Sequence, residues 1–143
     1  MSRNTEIELW IRSTDLDADG IVNNSRFFQF FEQARLEHLI ALGVLARPRP
    51  PGVSERTFTI AETTCRFLAP LHHRERIMVR ASTREVGRRS FVLTYQIRRP
   101  GDGSISAEGS SAQVWLGDDG RPATLPEDVR HALTESLSAA EHV

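Results

Sequence analysis

The chain has 143 residues, of which 39% are hydrophobic and 26% charged, and its formal net charge is −1. This length suits one domain with a hydrophobic core and is short for two, so we expect a single domain over residues 1–143. The near-neutral charge points to neither nucleic acid nor a membrane surface as a partner. A lone cysteine excludes an intrachain disulfide and a cysteine metal cluster.

The N-terminal sequence MSRNTEIELW lacks the long apolar run of a signal peptide. No stretch of the chain approaches the roughly 18 consecutive apolar residues that span a bilayer. We therefore expect a cytoplasmic protein.

A strand, a loop and a long helix are predicted in the first third of the chain. Residues 6–12 alternate in polarity and are rich in β-branched and aromatic side chains, which predicts a strand. The following TDLDADGIVNN predicts a loop, because Asp, Asn and Gly favour turns over regular structure. From Ser25 to Gly43 apolar residues recur at a helical period, and Gly43 is a typical helix end. Asn24 or Ser25 can cap this helix, which is apolar over most of its circumference and needs covering on more than one side.

The rest of the chain predicts four strands and a short helix. RPRPPG at 47–52 predicts a loop. Strand-like runs follow at 57–68, 75–86, 90–98 and 104–116. A short helix begins near Pro126. This order predicts an α+β fold in which one antiparallel sheet of about five strands wraps around the long helix. The edges and outer face of such a sheet need partners, which predicts a homo-oligomer, either a dimer or a tetramer.

The loop sequence DLDADGIVNN resembles an EF-hand calcium loop at its first, third, fifth and sixth positions. Arg26 stands at the twelfth position, however, where a bidentate Glu is required, and the preceding segment predicts a strand instead of a helix. We therefore predict no metal site. A solvated turn that complements the helix dipole is an alternative, which stays open for Asp15 and Asp19.

A third interpretation gives one carboxylate of this loop a catalytic role. A carboxylate just before a helix lies beside free backbone N–H groups. These donors can polarise a carbonyl and stabilise the oxyanion that forms when it is attacked. Such groups suffice to hydrolyse a thioester, because its leaving thiolate needs little acid assistance.

The run TDLDADGIVNNSRFFQFFEQARLEHL resembles the signature of the 4-hydroxybenzoyl-CoA thioesterase family, D-x-D-x-x-G-x-V followed by an aromatic helix and E-x-x-R. The order of strand, helix and four strands is similar over nearly the whole chain. The resemblance implies a hotdog fold and hydrolysis of an acyl- or aroyl-CoA to free acid and CoA, with CoA as part of the substrate and no separate cofactor. It implies Asp17 as the catalytic carboxylate, the backbone N–H near Asn24 as the group that binds the thioester oxygen, and Gly20 as the residue that permits the tight turn.

The Asn23-Asn24 pair also resembles an H-V-N-N version found in acyl-CoA and acyl-carrier-protein thioesterases, but Ile21 stands where many members carry His. A hydratase or dehydratase, whose chemistry generally needs an Asp–His pair, is therefore disfavoured. Two alternatives remain, namely an acyl-carrier-protein thioesterase and a non-catalytic module that binds acyl-CoA or acyl-carrier protein. Whether Asp17 attacks the thioester carbon or activates a water molecule also stays open.

Arg88, Arg89 and Ser90 lie with Arg84 around a predicted turn between two strands. Arginine forks suit the phosphates of CoA, and the R-R-S-F run resembles a basic patch that some family members use for the nucleotide end of CoA. The alternative is a solvated hairpin turn. We keep both interpretations open.

Other polar residues are given structural interpretations. Glu32 and Arg35 match E-x-x-R and are spaced to form an ion pair on one helix face. Cys65 is interpreted as a small buried hydrophobe. The five histidines show no spacing typical of a metal site and are interpreted as surface residues: His38, His72, His73, His131 and His142.

Overall fold

The computed structural model describes residues 3–46, 48, 51 and 57–137. The strands are β1 (Asn4–Trp10), β2 (Phe58–Phe67), β3 (Arg76–Val86), β4 (Ser90–Arg98) and β5 (Ile105–Trp115), and the helices are α1 (Asn24–Ala41) and α2 (Glu127–Glu135). A single 3-10 turn, Ser13–Asp15, follows β1. All seven predicted elements are present within a few residues of their predicted bounds. The predicted loop at 47–52 lies largely outside the described residues.

The five strands form one antiparallel sheet in the order β1–β3–β4–β5–β2, so β1 and β2 are its edges. β1 pairs with β3, with Ile7 opposite Val79, and β2 pairs with β5, with Cys65 opposite Gly109. α1 packs against β1, β2, β3 and β4. The predicted α+β architecture, a sheet wrapped around a long helix as in hotdog proteins, is confirmed.

The core lies between α1 and the concave face of the sheet. Alternate residues of β3 and β4 point inward, as a half-buried sheet requires. These residues are fully or almost fully buried: Ile77, Val79, Ala81, Phe91, Leu93, Tyr95 and Ile97. α1 contributes Phe27, Phe30, Phe31, Ala34 and Leu39. Among the described residues, no helix has the length and apolar composition needed to cross a membrane.

Gly109 sets how closely α1 approaches the sheet. The rings of Phe31 on α1 and Tyr95 on β4 stack with centroids 4.7 Å apart and planes at 10°. A Cβ atom at residue 109 would lie 2.4 Å from Cε2 of Phe31 and 2.4 Å from the carbonyl oxygen of Thr64. The aromatic stack therefore requires a residue without a side chain at this position.

We predict that Gly109→Ala lowers the free energy of unfolding by about 1–3 kcal/mol, because the new methyl group must displace Phe31 or the backbone of β2. Gly101→Ala is the matched control, since an added Cβ there meets no atom within 4 Å. Its effect should stay within about 0.5 kcal/mol. Urea unfolding of both variants checks the prediction, and equal midpoints would contradict it.

His38 is fully buried, so the prediction of a surface residue is wrong. Its Nδ1 lies 2.8 Å from Oγ1 of Thr5 and its Nε2 lies 2.9 Å from Oγ1 of Thr83. The hydroxyl of Ser136 donates to Oγ1 of Thr83 at 2.7 Å. Burial, with a smaller effect from the charge of Arg3, lowers the pKa of His38 to about 4. The sequence pattern conceals this network because its members are far apart in the chain.

Candidate active site

The Asp-rich segment between β1 and α1 folds into a compact loop. Leu16 and Val22 form an antiparallel bridge, and the N–H of Asp17 donates to the carbonyl of Ile21 at 2.8 Å. The N–H of Gly20 donates to the carbonyl of Asp17 at 3.1 Å. Gly20 has a φ of 83°, which residues with a Cβ rarely adopt. Gly20 therefore makes the tight turn of this loop.

Asp17 is half-buried within this loop. Its Oδ1 accepts a hydrogen bond from the N–H of Asp19 at 2.8 Å. In the part of the chain that the structure describes, no cationic side chain forms an ion pair with Asp17. Its negative charge is thus available to attack a carbon atom or to accept a proton.

α1 begins at Asn24, and its N-cap is Asn23, one residue before the predicted cap. Oδ1 of Asn23 accepts from the N–H of Ser25 at 3.0 Å and from the hydroxyl of Ser25 at 2.9 Å. The carbonyl of Asn23 accepts from the N–H of Arg26 at 2.9 Å. Within the described ranges the N–H of Asn24 has no acceptor, as is usual for a first helical turn. It is a free donor at the positive end of the helix dipole.

A pocket of about 210 Å³ lies beside this helix start. Its lining comprises Ile21, Val22, Asn24, Phe27, Phe67, Leu68, Ala69 and Pro70. Phe67 and Leu68 are 43% and 46% exposed, although both are large apolar residues. Asp17 is not one of the lining residues, but Ile21, which accepts its N–H, is. The pocket therefore has a mostly apolar lining that includes Asn24, the first residue of α1.

Asp15, the first Asp of the D-x-D motif, is fully buried. Its carboxylate accepts hydrogen bonds from the N–H and the guanidinium of Arg12 and lies near Arg26. Burial favours a higher pKa for this carboxyl, but the hydrogen bonds from Arg12 and the charges of both arginines lower the pKa overall. Among the described residues no group of three or more His, Cys, Asp or Glu could hold a metal ion. The predicted solvated turn is wrong for Asp15, whereas Asp19 is exposed.

Within one chain the structure does not bring Arg88, Arg89 and Ser90 close to Asp17, and their interpretation as a patch for the nucleotide end of CoA stays a prediction. Arg88 and Arg89 lie in the β3–β4 turn, and Ser90 is the first residue of β4. The segment before β3 contacts the Asp17 loop, since Leu71 and Val22 share a backbone hydrogen bond of 2.9 Å. β3 then runs for 11 residues away from that loop, which places the turn roughly 35 Å from it. Local sequence cannot reveal at which end of the sheet a turn lies.

The E-x-x-R pair connects α1 to the sheet. Nη2 of Arg35 lies 3.8 Å from Oε2 of Glu32, the predicted ion pair, and Nη1 of Arg35 lies 3.4 Å from the hydroxyl of Tyr95. Cys65 is half-buried, and burial raises the pKa of its thiol to about 11. His72, His73 and His131 are exposed, as predicted, and His142 lies outside the described residues.

Comparisons with known proteins agree with this fold. Residues 11–133 match the model of the Thioesterase-like superfamily. The chain is 28% identical over 141 residues to the chloroplastic acyl-acyl carrier protein thioesterase ATL3 of Arabidopsis thaliana, covering 96% of this chain and 71% of that protein. A solved thioesterase from Thermus thermophilus, complexed with coenzyme A and Zn, is 28% identical, covers 92% of each chain and has a TM-score of 0.78. The structure of BH1999 gentisyl-coenzyme A thioesterase is 26% identical, with a TM-score of 0.75, over 90% of this chain and 98% of that chain.

The antiparallel sheet wrapped around α1 and the likeness to these solved thioesterases define a hotdog-fold protein of the thioesterase class. The chain belongs to the Thioesterase-like superfamily, whose model spans most of its length. The family resemblance predicted from the D-x-D-x-x-G-x-V motif is confirmed at this level. The family match does not assign roles to individual residues, for which the geometry of the Asp17 loop and α1 is needed.

Proposed function

We propose that this chain is an acyl-CoA thioesterase, which hydrolyses an acyl- or aroyl-CoA to free acid and CoA. The observation that carries the proposal is that the loop and the helix start that follows it supply both a carboxylate without a cationic partner in the described structure, Asp17, and the free N–H of Asn24. These are the two groups that thioester hydrolysis needs. The gentisyl-coenzyme A thioesterase and the coenzyme A complex among similar structures support CoA as the thiol carrier.

In the proposed mechanism the thioester oxygen accepts a hydrogen bond from the N–H of Asn24, and the acyl group lies against Phe27, Phe67 and Leu68. Attack on the carbonyl carbon moves negative charge onto this oxygen, where the helix N-terminus stabilises it. Asp17 supplies the attack in one of two ways. It forms a mixed anhydride that water then hydrolyses, or it takes a proton from the water that attacks; in both routes the C–S bond breaks and CoA leaves as the thiolate. A single turnover in ¹⁸O-water distinguishes them, because label in the enzyme carboxylate supports the anhydride.

A second candidate, hydrolysis of acyl-carrier-protein thioesters, is favoured by the identity to the Arabidopsis thaliana protein. The test is to present the same acyl groups, aliphatic and aromatic, on CoA and on a carrier protein. We expect turnover of the CoA thioesters with the higher kcat/KM. Faster turnover of the carrier-protein thioesters would favour the second candidate. Tight binding of acyl-CoA without release of thiol would indicate a non-catalytic module and contradict both.

We also propose that the protein is a homo-oligomer in which β2 pairs antiparallel with β2 of a second copy. β2 is an edge strand and most of its residues are exposed, including Ile60 at 38% and Phe67 at 43%. Long, exposed edges of this kind are normally paired or covered. Antiparallel pairing reverses the direction of the second sheet, which places its β3–β4 turn at the same end as the Asp17 loop of the first copy. In this assembly Arg88, Arg89 and Ser90 of one copy could contact the phosphates of CoA bound at the other.

We predict that the wild-type chain sediments as a dimer or larger species at micromolar concentration, and that Ile60→Glu shifts it towards monomer because a charge replaces an exposed apolar side chain on the edge strand proposed to pair. Trp10→Glu is the control, since Trp10 is 61% exposed on β1, the opposite edge. Analytical ultracentrifugation of the three proteins measures the masses. A monomeric wild type, or dissociation caused only by Trp10→Glu, would contradict β2 pairing.

A further inference from the structure

The buried carboxylate of Asp15, two residues before the candidate catalytic residue Asp17, lies between two arginines. Its Oδ2 accepts from the N–H of Arg12 at 2.8 Å and its Oδ1 from Nη2 of Arg12 at 3.0 Å. Nε of Arg26 lies 3.9 Å from Oδ1. Asp15 is fully buried, whereas the side chains of Arg12 and Arg26 are 66% and 34% exposed.

The same cluster ties the two ends of the Asp17 loop together. The carbonyl of Asp15 accepts from the N–H of Asn23, the N-cap, at 2.9 Å. Nη2 of Arg26, in the first turn of α1, donates to the carbonyl of Thr14 at 3.2 Å. The backbone that precedes Asp17 is therefore joined, through both main chain and side chains, to the helix start that carries Asn24.

Arg26 places a positive charge in the first turn of α1, where the helix dipole disfavours it. Asp15 offsets this charge, and Nη1 of Arg26 also donates to Oε1 of Gln29 at 2.7 Å. With its donors directed to these groups and to Thr14, Arg26 forms no ion pair with Asp17 in the described structure. An ion pair there would stabilise the carboxylate and reduce its reactivity as a nucleophile or base.

We propose that Asp15 and Arg26 are positioning residues for the reaction, holding the Asp17 loop against the start of α1 and keeping the positive charge of Arg26 away from Asp17. The inference rests on the proposed function. In this proposal Asp15, the first Asp of the D-x-D motif, does not contact substrate. Its role is therefore distinct from that of Asp17, the second Asp.

Asp15→Asn keeps the shape of the side chain and removes its charge. We expect kcat to fall about 10- to 100-fold with KM within a few-fold, since small displacements of a reacting group cost rates of this order. Arg26→Gln alone should lower kcat several-fold, because the contact with Thr14 is lost. In the Asp15→Asn background, however, Arg26→Gln should raise kcat, because it removes the released cation. A purely structural role would not produce this reversal of sign.

Steady-state kinetics on a CoA thioester, with urea unfolding of each variant, test the inference, and Asp118→Asn serves as an exposed charge-removal control. Wild-type kcat in folded Asp15→Asn, or a double variant no more active than Asp15→Asn, would overturn it. If Asp15→Asn does not fold, Arg26→Gln provides the test, because the side chain of Arg26 is 34% exposed and its replacement should leave the protein folded. Unchanged kcat in Arg26→Gln would then overturn the inference. The proposed function fails separately, if Asp17→Asn retains full activity.

Discussion

Asp17→Asn is expected to lower kcat for acyl-CoA hydrolysis by at least about 10²-fold, because an amide neither attacks a thioester carbon efficiently nor accepts a proton from water. The structure indicates that the fold tolerates this change. The hydrogen bond that Oδ1 of Asp17 accepts, from the N–H of Asp19 at 2.8 Å, is one that an amide oxygen accepts equally well. KM should change little, since the pocket proposed to hold the acyl group is lined by other residues.

The control for this effect is Asp118→Asn, which removes one carboxylate from the exposed turn that follows β5. Its kcat should stay within about twofold of wild type, as expected for a surface substitution. Urea midpoints should show that Asp17→Asn is folded. A folded Asp17→Asn protein with wild-type kcat would show that the carboxylate is dispensable.

The free energy of unfolding is expected to fall by about 3 kcal/mol as pH decreases from 6.5 to 4, because of His38. Burial lowers the pKa of His38 to about 4 from 6.5, so the folded state holds it neutral while the unfolded chain binds a proton. Above pH 6.5 the ring of His38 is neutral in both the folded and the unfolded state, so it does not lower the free energy of unfolding. Between pH 6.5 and 4 the unfolded state gains the proton first, and stability is lost.

The buried carboxylate of Asp15 affects the free energy of unfolding over a lower pH range than His38 does. The two effects can therefore be measured separately. Burial favours a higher pKa for Asp15, but Arg12 and Arg26 lower the pKa overall from 3.8, so its contribution is lost only as pH falls below that value. His38→Gln removes the titrating ring and should flatten the dependence of unfolding free energy on pH between 6.5 and 4.5. Urea unfolding at intervals across this range measures the slope, and equal slopes for both proteins would contradict the assignment to His38.

The secondary structure could be predicted from the sequence because each element carries a local signal. The alternation in β3 and β4 and the helical period from Ser25 to Gly43 describe which side of each element meets the core. The loop that contains Asp17 could also be predicted from the sequence, because it contains Gly20. The turn at this residue needs a positive φ, which glycine adopts readily. Only its resemblance to a thioesterase motif separated Asp17 from its acidic neighbours.

The contacts that complete the site could not be predicted in the same way, because they join residues that are distant in the chain or share no pattern. In the sequence His38 is not distinguished from the other polar residues of α1. Only the fold brings Thr5 of β1 and Thr83 of β3 into contact with its ring. Asp15 can be buried because Arg12 and Arg26 contact its carboxylate. The loop sequence does not distinguish these two arginines from ordinary surface charges.

The most direct test of the central claim is a single-turnover measurement with enzyme in excess over one reactive acyl-CoA, comparing wild type with Asp17→Asn. Under these conditions the release of thiol reports the chemical step, without contributions from product release. The proposed function predicts that the variant binds the thioester like wild type and releases thiol at least about 10²-fold more slowly. Thiol release at the wild-type rate by folded Asp17→Asn would contradict it.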